Sequence, residues 1–301
     1  MHSLCILLLL AACSAQSEPF SESDRIVVRF SLSGIQAEVS TRADGDGASP
    51  LAEGTTLRIL AFKRVNTATP DLSRDKYIGE GIYINGNGSL TAVSPLLLSQ
   101  GTYDFYALTP ETVYQGGSSY TVSVSHGVDY ASSLTTATVS IANPIVKLTA
   151  LTRRCSKLTF NFSPKDGSDI TSADITAVGL TNMTAAPLTG SLNGELSLTG
   201  VGQNATLNLG KPTVPNAGKP LEQSISTIVL PRNAGACNLT LLVRYNNIGE
   251  VRNLSTSLPT NLVFAPGFHY MFTVKMRGNL LEVALMAASW VDKPFSTDMG
   301  E

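Results

Sequence analysis

The stretch RIVVRFSLSGIQAEVS, residues 25–40, alternates apolar and polar side chains with the two-residue period of a β-strand. Ile26, Val28, Phe30 and Leu32 fall on one face, and mostly polar residues fall on the other. The glycine at position 34 predicts a bend or bulge, beyond which the alternation resumes. The stretch is therefore predicted to be a half-buried strand.

The chain as a whole has the composition of an exported all-β protein. Charged residues make up 15% of the 301 residues, and the formal net charge is −2. A near-neutral chain without a basic cluster lacks the positive surface that nucleic acid requires, so we expect no nucleic-acid partner. Short alternating runs separated by Gly, Asn, Pro and Ser clusters predict a β-sandwich architecture.

Two series of such runs predict two domains. The first comprises TTLRILAFKR (55–64), KYIGEGIYIN (76–85), GTYDFYALTP (101–110) and SYTVSVSHGVDY (119–130). The second begins at IVKLTALTRRCSKLTFNFSP (145–164) and continues to LLEVALMAASWV (280–291). Each half is long enough to bury its own core. We expect an N-terminal β-sandwich domain over 43–150 and a C-terminal one over 151–301.

The first thirteen residues, MHSLCILLLLAAC, have the short apolar core and small residues of a signal peptide. The motif Leu10-Ala11-Ala12-Cys13 is typical of a bacterial lipoprotein, in which the chain is cut before the cysteine and the cysteine is acylated. Residues 1–12 would then be the signal peptide and Cys13 the lipid site. The alternative is an ordinary secretory signal, and His2 stands where a basic residue is expected.

A hinge follows the first strand. In EVSTRADGDGASP, residues 38–50, Arg42 stands among small, polar and turn-forming residues, and Asp44 to Gly47 predict a flexible loop. The DGDG sequence does not continue as a calcium loop, because such a loop needs an acid or amide at its fifth position and Glu at its twelfth, where Ala48 and Thr55 stand. Arg42 is either a protease site or an ordinary surface arginine in a linker.

Two cysteines belong to the folded body of the chain. Cys155 and Cys237 both lie in apolar-alternating runs. An exported protein permits a disulfide between them, and two small buried thiols are the alternative.

No catalytic set emerges from the sequence. His126 and His269 are far apart along the chain, and no HExxH, GxSxG or Walker motif is present. Ser73 and Lys76 match the SxxK spacing, but the partner motifs of that enzyme class are missing, which favours a chance match. We expect no enzymatic activity, no metal site and no cofactor.

Several features together resemble the fimbrillin family of Bacteroides-type (type V) pili. They are the Leu-Ala-Ala-Cys motif, the strand before Arg42, the STRA sequence at 40–43, and the runs LLLSQGTYDFYALTP (96–110), LTRRCSKLTFNF (151–162) and YMFTVKMRGNLLEVALMAASW (270–290). The similarity covers nearly the whole chain and depends on the order and spacing of these motifs.

The resemblance implies a fold and a processing route. The fold is two tandem β-sandwich domains of transthyretin-like, Greek-key type. The lipidated pro-segment, residues 13–42, is removed when an arginine-specific protease cuts the Arg42–Ala43 bond. A strand near the C-terminus of another subunit then fills the vacated groove. The candidates for its core side chains are Leu281, Val283, Leu285 and Trp290.

The resemblance also implies partners and a location. The precursor would be an outer-membrane lipoprotein at the cell surface, and the mature form a stalk or tip subunit of an extracellular pilus that supports adhesion. Its partners would be other pilus subunits, the protease, the outer membrane through the lipid, and a ligand on a host or bacterial surface. The alternative is a monomeric surface lipoprotein that binds glycans without cleavage, through loop aromatics such as Tyr114 and Tyr120. Tyr103 and Phe105 alternate toward one face and are predicted to be core.

Overall fold

The computed structural model describes residues 25–36, 51–65, 69–86, 89–115, 121–191, 203–215, 218–219, 221–246 and 249–290. The regular structure in these residues is β-strand, apart from two one-turn 3-10 helices at Arg74–Lys76 and Glu111–Val113. The prediction of an all-β fold is therefore confirmed.

The first half of the chain contains strands β1 to β13. They are β1 (Ile26–Val27), β2 (Arg29–Leu32), β3 (Ile35–Gln36), β4 (Thr56–Lys63), β5 (Tyr77–Gly86), β6 (Ser89–Ser94), β7 (Leu97–Leu98), β8 (Gly101–Thr109), β9 (Tyr114–Gln115), β10 (Thr121–Val124), β11 (Ala131–Val139), β12 (Ile145–Leu148) and β13 (Leu151–Arg153). Nine of them form one sheet in the order β12-β2-β6-β5-β4-β8-β11-β13-β3, and β1 pairs with β7.

This nine-stranded sheet closes on itself. Strands β2 and β3 are two pieces of one segment, and β12 and β13 are two pieces of another. Ile145 lies opposite Arg29 and Leu151 lies opposite Ile35, so one parallel register runs through both pairs. The pair β12-β2 begins the strand order and the pair β13-β3 ends it, so the same two segments meet at both ends of the sheet. Residues 25–36 are therefore the segment that completes the closed sheet. We call residues 25–36 the closing segment.

The interior of the closed sheet is a single apolar core. Its buried members come from the closing segment and from all sides of the sheet: Ile26, Val28, Phe30, Ile35, Leu57, Ile59, Ala61, Tyr83, Leu90, Leu96, Leu98, Tyr103, Phe105, Ala107, Ala131, Val139, Val146, Leu148 and Leu151. Tyr103 and Phe105 were predicted to be core residues, and this prediction is confirmed.

The second half of the chain contains strands β14 to β22. They are β14 (Ser156–Pro164), β15 (Ala173–Thr184), β16 (Leu188–Ser191), β17 (Gln203–Gly210), β18 (Gln223–Val229), β19 (Asn238–Tyr245), β20 (Arg252–Ser257), β21 (Phe268–Arg277) and β22 (Leu280–Ser289). Two four-stranded sheets, β18-β14-β21-β22 and β17-β15-β19-β20, face each other across one core. Alternate residues such as Phe160, Leu241 and Phe272 fill that core.

A third core joins the two halves. The outer faces of β4 and β8, with Leu60, Phe62 and Tyr106, pack against β10 and against residues of the second half, including Cys155 and Leu230. Strand β10 also pairs with β16. Strands β4 and β8 are therefore buried on both faces, which explains their nearly continuous apolar sequences.

Strand β13 lies just beyond residue 150 and pairs with β11 and β3 of the first half. Strand β14, three residues further on, belongs to the second core. The division of the chain into domains over 43–150 and 151–301 stays a prediction.

Candidate functional site: the closing segment and its groove

The closing segment presents a continuous apolar face to the core. Ile26, Val28, Phe30 and Ile35 are all buried, and Phe30 is 4% exposed. Leu32 was expected to be a full member of this face, but it is half-buried and packs against the edge of the core. Gly34 has a φ of 124°, a left-handed value that glycine tolerates, and it makes the predicted bend between β2 and β3.

Hydrogen bonds hold the closing segment on both sides. On the β12–β13 side, the Arg29 N–H donates to the Pro144 carbonyl oxygen and the Leu151 N–H donates to the Gly34 carbonyl oxygen, both at 2.9 Å. On the β6–β7 side, the Val28 N–H donates to the Leu96 carbonyl oxygen at 2.9 Å. The segment is thus a central strand. Its departure would leave a groove with two unpaired edges, which we call the strand groove.

The middle of the groove contains an aromatic cluster. The Phe30 ring packs edge-to-face against Tyr83, with ring centres 5.0 Å apart, and against Phe105 at 5.3 Å. The Tyr83 hydroxyl donates to the Val28 carbonyl oxygen at 3.2 Å and accepts the Leu96 N–H at 3.0 Å. Burial raises the pKa of Tyr83, so the hydroxyl stays protonated as a donor. Tyr83 could not be identified from the sequence, where the glycines at 79 and 81 beside it are the signal of a close approach.

The C-terminal strand β22 lies at the edge of its sheet, and within the described residues β21 is its only strand partner. Leu281, Val283 and Leu285 turn half-buried side chains toward the second core. The alternate residues Leu280 and Met286 are exposed. Strand β22 therefore has one apolar face that packs against a core and one exposed face.

Trp290, which follows β22, is buried under Arg153. The guanidinium carbon of Arg153 lies 4.3 Å from the centre of the indole ring, and Nη1 donates to the Trp290 carbonyl oxygen at 3.1 Å. Arg153 Nε also contacts the Asp129 carboxylate at 3.2 Å. Arg153, like Tyr83, was not identified from the sequence, because its partners are distant along the chain.

Cys155 and Cys237 are free, buried thiols in this structure, so the disulfide considered from the sequence is not formed. The physical reason is their placement. Cys155 belongs to the core that joins the two halves, and Cys237 belongs to the core of the second half. Burial raises the pKa of Cys155 to about 12 and also raises the pKa of Cys237. Burial therefore disfavours the reactive thiolate form of both groups.

Other expected functional residues lie outside the described residues. They are the lipid site Cys13, the bond between Arg42 and Ala43, and Tyr120. The other aromatic residue of the glycan-binding alternative, Tyr114, is buried, with the Arg58 guanidinium carbon 5.1 Å from its ring centre. Tyr114 therefore offers no exposed sugar platform.

The residues that matched catalytic patterns have structural surroundings. The Ser73 hydroxyl donates to Asp75, and Lys76 forms an ion pair with the same carboxylate. The hydrogen bond that Lys76 donates to the Asp75 carboxylate raises the pKa of Lys76, which is the wrong direction for a general base. Among the described residues, no three His, Cys, Asp or Glu side chains come together as a metal site. No helix in that part of the chain is long and apolar enough to span a membrane.

The fold is an all-β body in which the N-terminal closing segment completes a closed sheet. The family model described as fimbrillin-like matches residues 25–293, and the chain belongs to this family. The match begins at the first residue of the closing segment.

Solved structures show the same fold. A candidate cell adhesion protein from Bacteroides fragilis is 19% identical, with a TM-score of 0.58 over 89% of this chain and 99% of that one. One from Bacteroides uniformis is 18% identical, with a TM-score of 0.58 over 89% and 100% of the two chains. A fimbrial protein from Bacteroides vulgatus is 10% identical, with a TM-score of 0.54 over 87% and 99%. No curated protein sequence matches the chain.

Proposed function

We propose that this protein is a stalk or tip subunit of a pilus, exported as an outer-membrane lipoprotein and polymerised by strand exchange after cleavage at Arg42. Membership of the fimbrillin-like family supports the pilus role and a non-enzymatic, cell-surface function. The observation that carries the exchange mechanism is the placement of the closing segment as a buried central strand that precedes Arg42 in the sequence.

The energy in the closing segment is large enough to drive assembly. Full burial of an aliphatic or aromatic side chain contributes about 1.5–3 kcal/mol, so Ile26, Val28, Phe30 and Ile35 contribute about 6–12 kcal/mol before the discount for the unfolded state. Whole domains are stable by only about 5–15 kcal/mol. A subunit without the segment would expose the strand groove and would capture a replacement strand by β-augmentation.

The hydrogen bonding of the segment favours cleavage beyond it. Arg29 lies in β2, which pairs with β12, and its N–H donates to the Pro144 carbonyl oxygen. A protease therefore cannot bind the Arg29 peptide in its active site while the segment is in place. Arg42 lies past the last strand of the segment and among turn-forming residues. After cleavage there, only non-covalent contacts would keep the segment in place.

Strand β22 supports the role of donor. It is a ten-residue strand, it has one strand partner among the described residues, and its apolar residues alternate as those of the closing segment do. Releasing β22 would cost its sheet one edge rather than a central strand. We propose that its residues Leu281, Val283 and Leu285 enter the groove of a neighbouring subunit, with Trp290 at the end of the strand.

The Arg42→Ala variant tests the proposal in cells that carry the lipoprotein export and protease systems. We expect a full-length, lipidated monomer and no polymer in surface fractions. Arg29→Ala is the matched control, because it removes an exposed arginine side chain 13 positions upstream and should leave cleavage and polymerisation intact. Cleaved, polymerised Arg42→Ala protein would refute the assignment of the site.

A further inference from the structure

The strand groove needs a feature that fixes the position of the strand within it. Side chains of a strand alternate with a period of two, so a slip by two residues keeps the same face inward. The ladder hydrogen bonds repeat with the same period and do not prevent such a slip. The register must therefore come from side chains that distinguish one inward position from the next.

Phe30 occupies the position that can be distinguished. Tyr83 and Phe105 present their rings to it at interplanar angles of 81° and 77°, which is edge-to-face geometry on both sides. Aromatic pairs in this geometry contribute more than their buried area alone. The neighbouring inward residues, Val28 and Leu32, are aliphatic and cannot make these ring contacts.

The Tyr83 hydroxyl adds a second condition two residues earlier. It stands between the Val28 carbonyl oxygen and the Leu96 N–H, where a direct ladder bond would otherwise form. The Val28 N–H still donates to the Leu96 carbonyl oxygen. The strand residue at this position must therefore supply both an N–H and a free carbonyl oxygen, which excludes proline there.

We propose that Tyr83 and Phe105 form a selectivity subsite, which accepts a strand in the register that places an aromatic ring between them. This inference rests on the strand exchange proposed above. The preferred partner is a strand of another subunit with Phe, Tyr or Trp on its inward face and aliphatic residues two positions to either side. The half-buried face of β22 has Leu281, Val283 and Leu285 and no ring, so the subsite favours a different subunit's strand over that of a second copy.

The test uses the full-length chain, folded before its linker is cut at a specific protease site placed between residues 37 and 50. The cut protein keeps its own closing segment until an excess of synthetic peptide competes for the groove. Leu97→Cys supplies an exposed thiol opposite Val27. These two residues form a non-hydrogen-bonded pair next to the bonded Val28–Leu96 pair, which suits a disulfide. Cys5 and Cys13 are replaced by serine.

The peptides span residues 25–33 and end before Gly34, so the bend cannot set their register. One has the native order, and the other exchanges Phe30 and Leu32, which moves the ring by two residues without changing the composition. Each is made with a cysteine at position 27 or at position 29. The native peptide should cross-link through position 27, and the exchanged peptide through position 29, each with a preference of about tenfold, the ratio that 1.4 kcal/mol produces.

The outcomes separate the inference from the function on which it rests. Cross-linking through position 27 by both peptides would show that the position of the aromatic ring does not set the register of the strand. That result would overturn the proposed selectivity subsite and would leave strand exchange in place. Capture of neither peptide would overturn strand exchange itself, and the subsite with it. Because the changes are made on the peptide, neither result depends on the folding of a core variant.

Discussion

Arg153 covers the indole ring of Trp290 and donates a hydrogen bond to its carbonyl oxygen. Arg153 ends β13, the strand that runs beside the closing segment, and Trp290 follows β22, the proposed donor strand. One buried cation therefore connects the wall of the strand groove with the end of the strand that would leave for another subunit.

Replacing Arg153 with lysine should loosen this connection. An ammonium group cannot stack on the indole and keep the bonds to Asp129 and Trp290 in one plane, so the free energy of unfolding should fall by about 1–3 kcal/mol. Trp290 is the only tryptophan in the chain, and quenching of its fluorescence by acrylamide should increase in the folded variant. Arg154→Lys is the control, because Arg154 Nε donates to the Ser132 hydroxyl instead. Equal quenching in both variants would contradict the role of Arg153.

Gly81 keeps the Tyr83 ring in place beside the closing segment. A Cβ atom at position 81 would come within 2.8 Å of both the Ser94 carbonyl oxygen and the Tyr83 ring. We expect Gly81→Ala to destabilise the protein by about 1–3 kcal/mol, as overpacked sites do. A Cβ atom at Gly79 would meet its nearest neighbour at 3.5 Å, an ordinary contact. Denaturant unfolding of both variants measures the difference in the free energy of unfolding. A Gly81→Ala protein as stable as Gly79→Ala would contradict the prediction, because the neighbouring atoms would then have moved aside at little cost in stability.

The two cysteines should not contribute through a disulfide. Because Cys155 and Cys237 are buried free thiols in separate cores, a reducing agent should leave the midpoint of denaturant unfolding unchanged. Both thiols should resist labelling in the native protein and react after unfolding, since thiolate is the reactive form and burial suppresses it. A midpoint that falls on reduction would reveal a bridge.

His126 should make the protein less stable in mild acid. Its Nε2 donates to the Thr184 carbonyl oxygen, and its Nδ1 accepts the Leu230 N–H, so the ring is neutral in the folded state. Burial lowers its pKa below the usual value of 6.5. The unfolded chain therefore binds the proton more readily, and stability that is complete above about pH 6.5 is lost as the pH falls toward the folded-state pKa.

The pH dependence of unfolding between about pH 7.5 and 5 measures this effect. His126→Gln should reduce the slope by up to one proton. Burial also lowers the pKa of His269, so His269→Gln is the comparison that separates the two contributions. A slope unchanged by His126→Gln would contradict the neutral, buried assignment.

Alternation along the sequence predicts the strands that have one solvent-exposed face and one buried face. The run TTLRILAFKR contains strand β4 (Thr56–Lys63), and the run LLEVALMAASWV contains strand β22 (Leu280–Ser289). The sequence SSLTTATVSIAN (132–143) is ambiguous and lacks a firm 3.6-residue period, and most of it forms β11. The hydroxyls of Ser132 and Thr135 are buried there because Arg154 and Thr149 supply their hydrogen-bond partners. The edge strand β20 was not predicted from the sequence, because Leu254 is its only buried residue and one apolar residue makes no alternating pattern. The sequence also predicts a strand at GELSLTG (194–200) and a mobile tail over 291–301, and both lie outside the described residues.

The apolar face of the closing segment could also be predicted, because it depends on the period of one strand. Ile26, Val28 and Phe30 are buried as expected. The contacts of Tyr83 and Arg153 could not be predicted. The Tyr83 hydroxyl takes the place of a ladder bond at Leu96, which lies between β6 and β7, and no sequence pattern indicates this. The Arg153–Trp290 pair joins residues 137 positions apart.

The mature N-terminus of subunits shed from the cell surface tests the central claim most directly. Mass spectrometry of the polymer should find chains that begin at Ala43 and no peptide from residues 25–36, because the groove then holds a strand from a neighbour. Polymer whose subunits still contain residues 25–36, joined to the rest of the chain, would contradict the replacement of the closing segment.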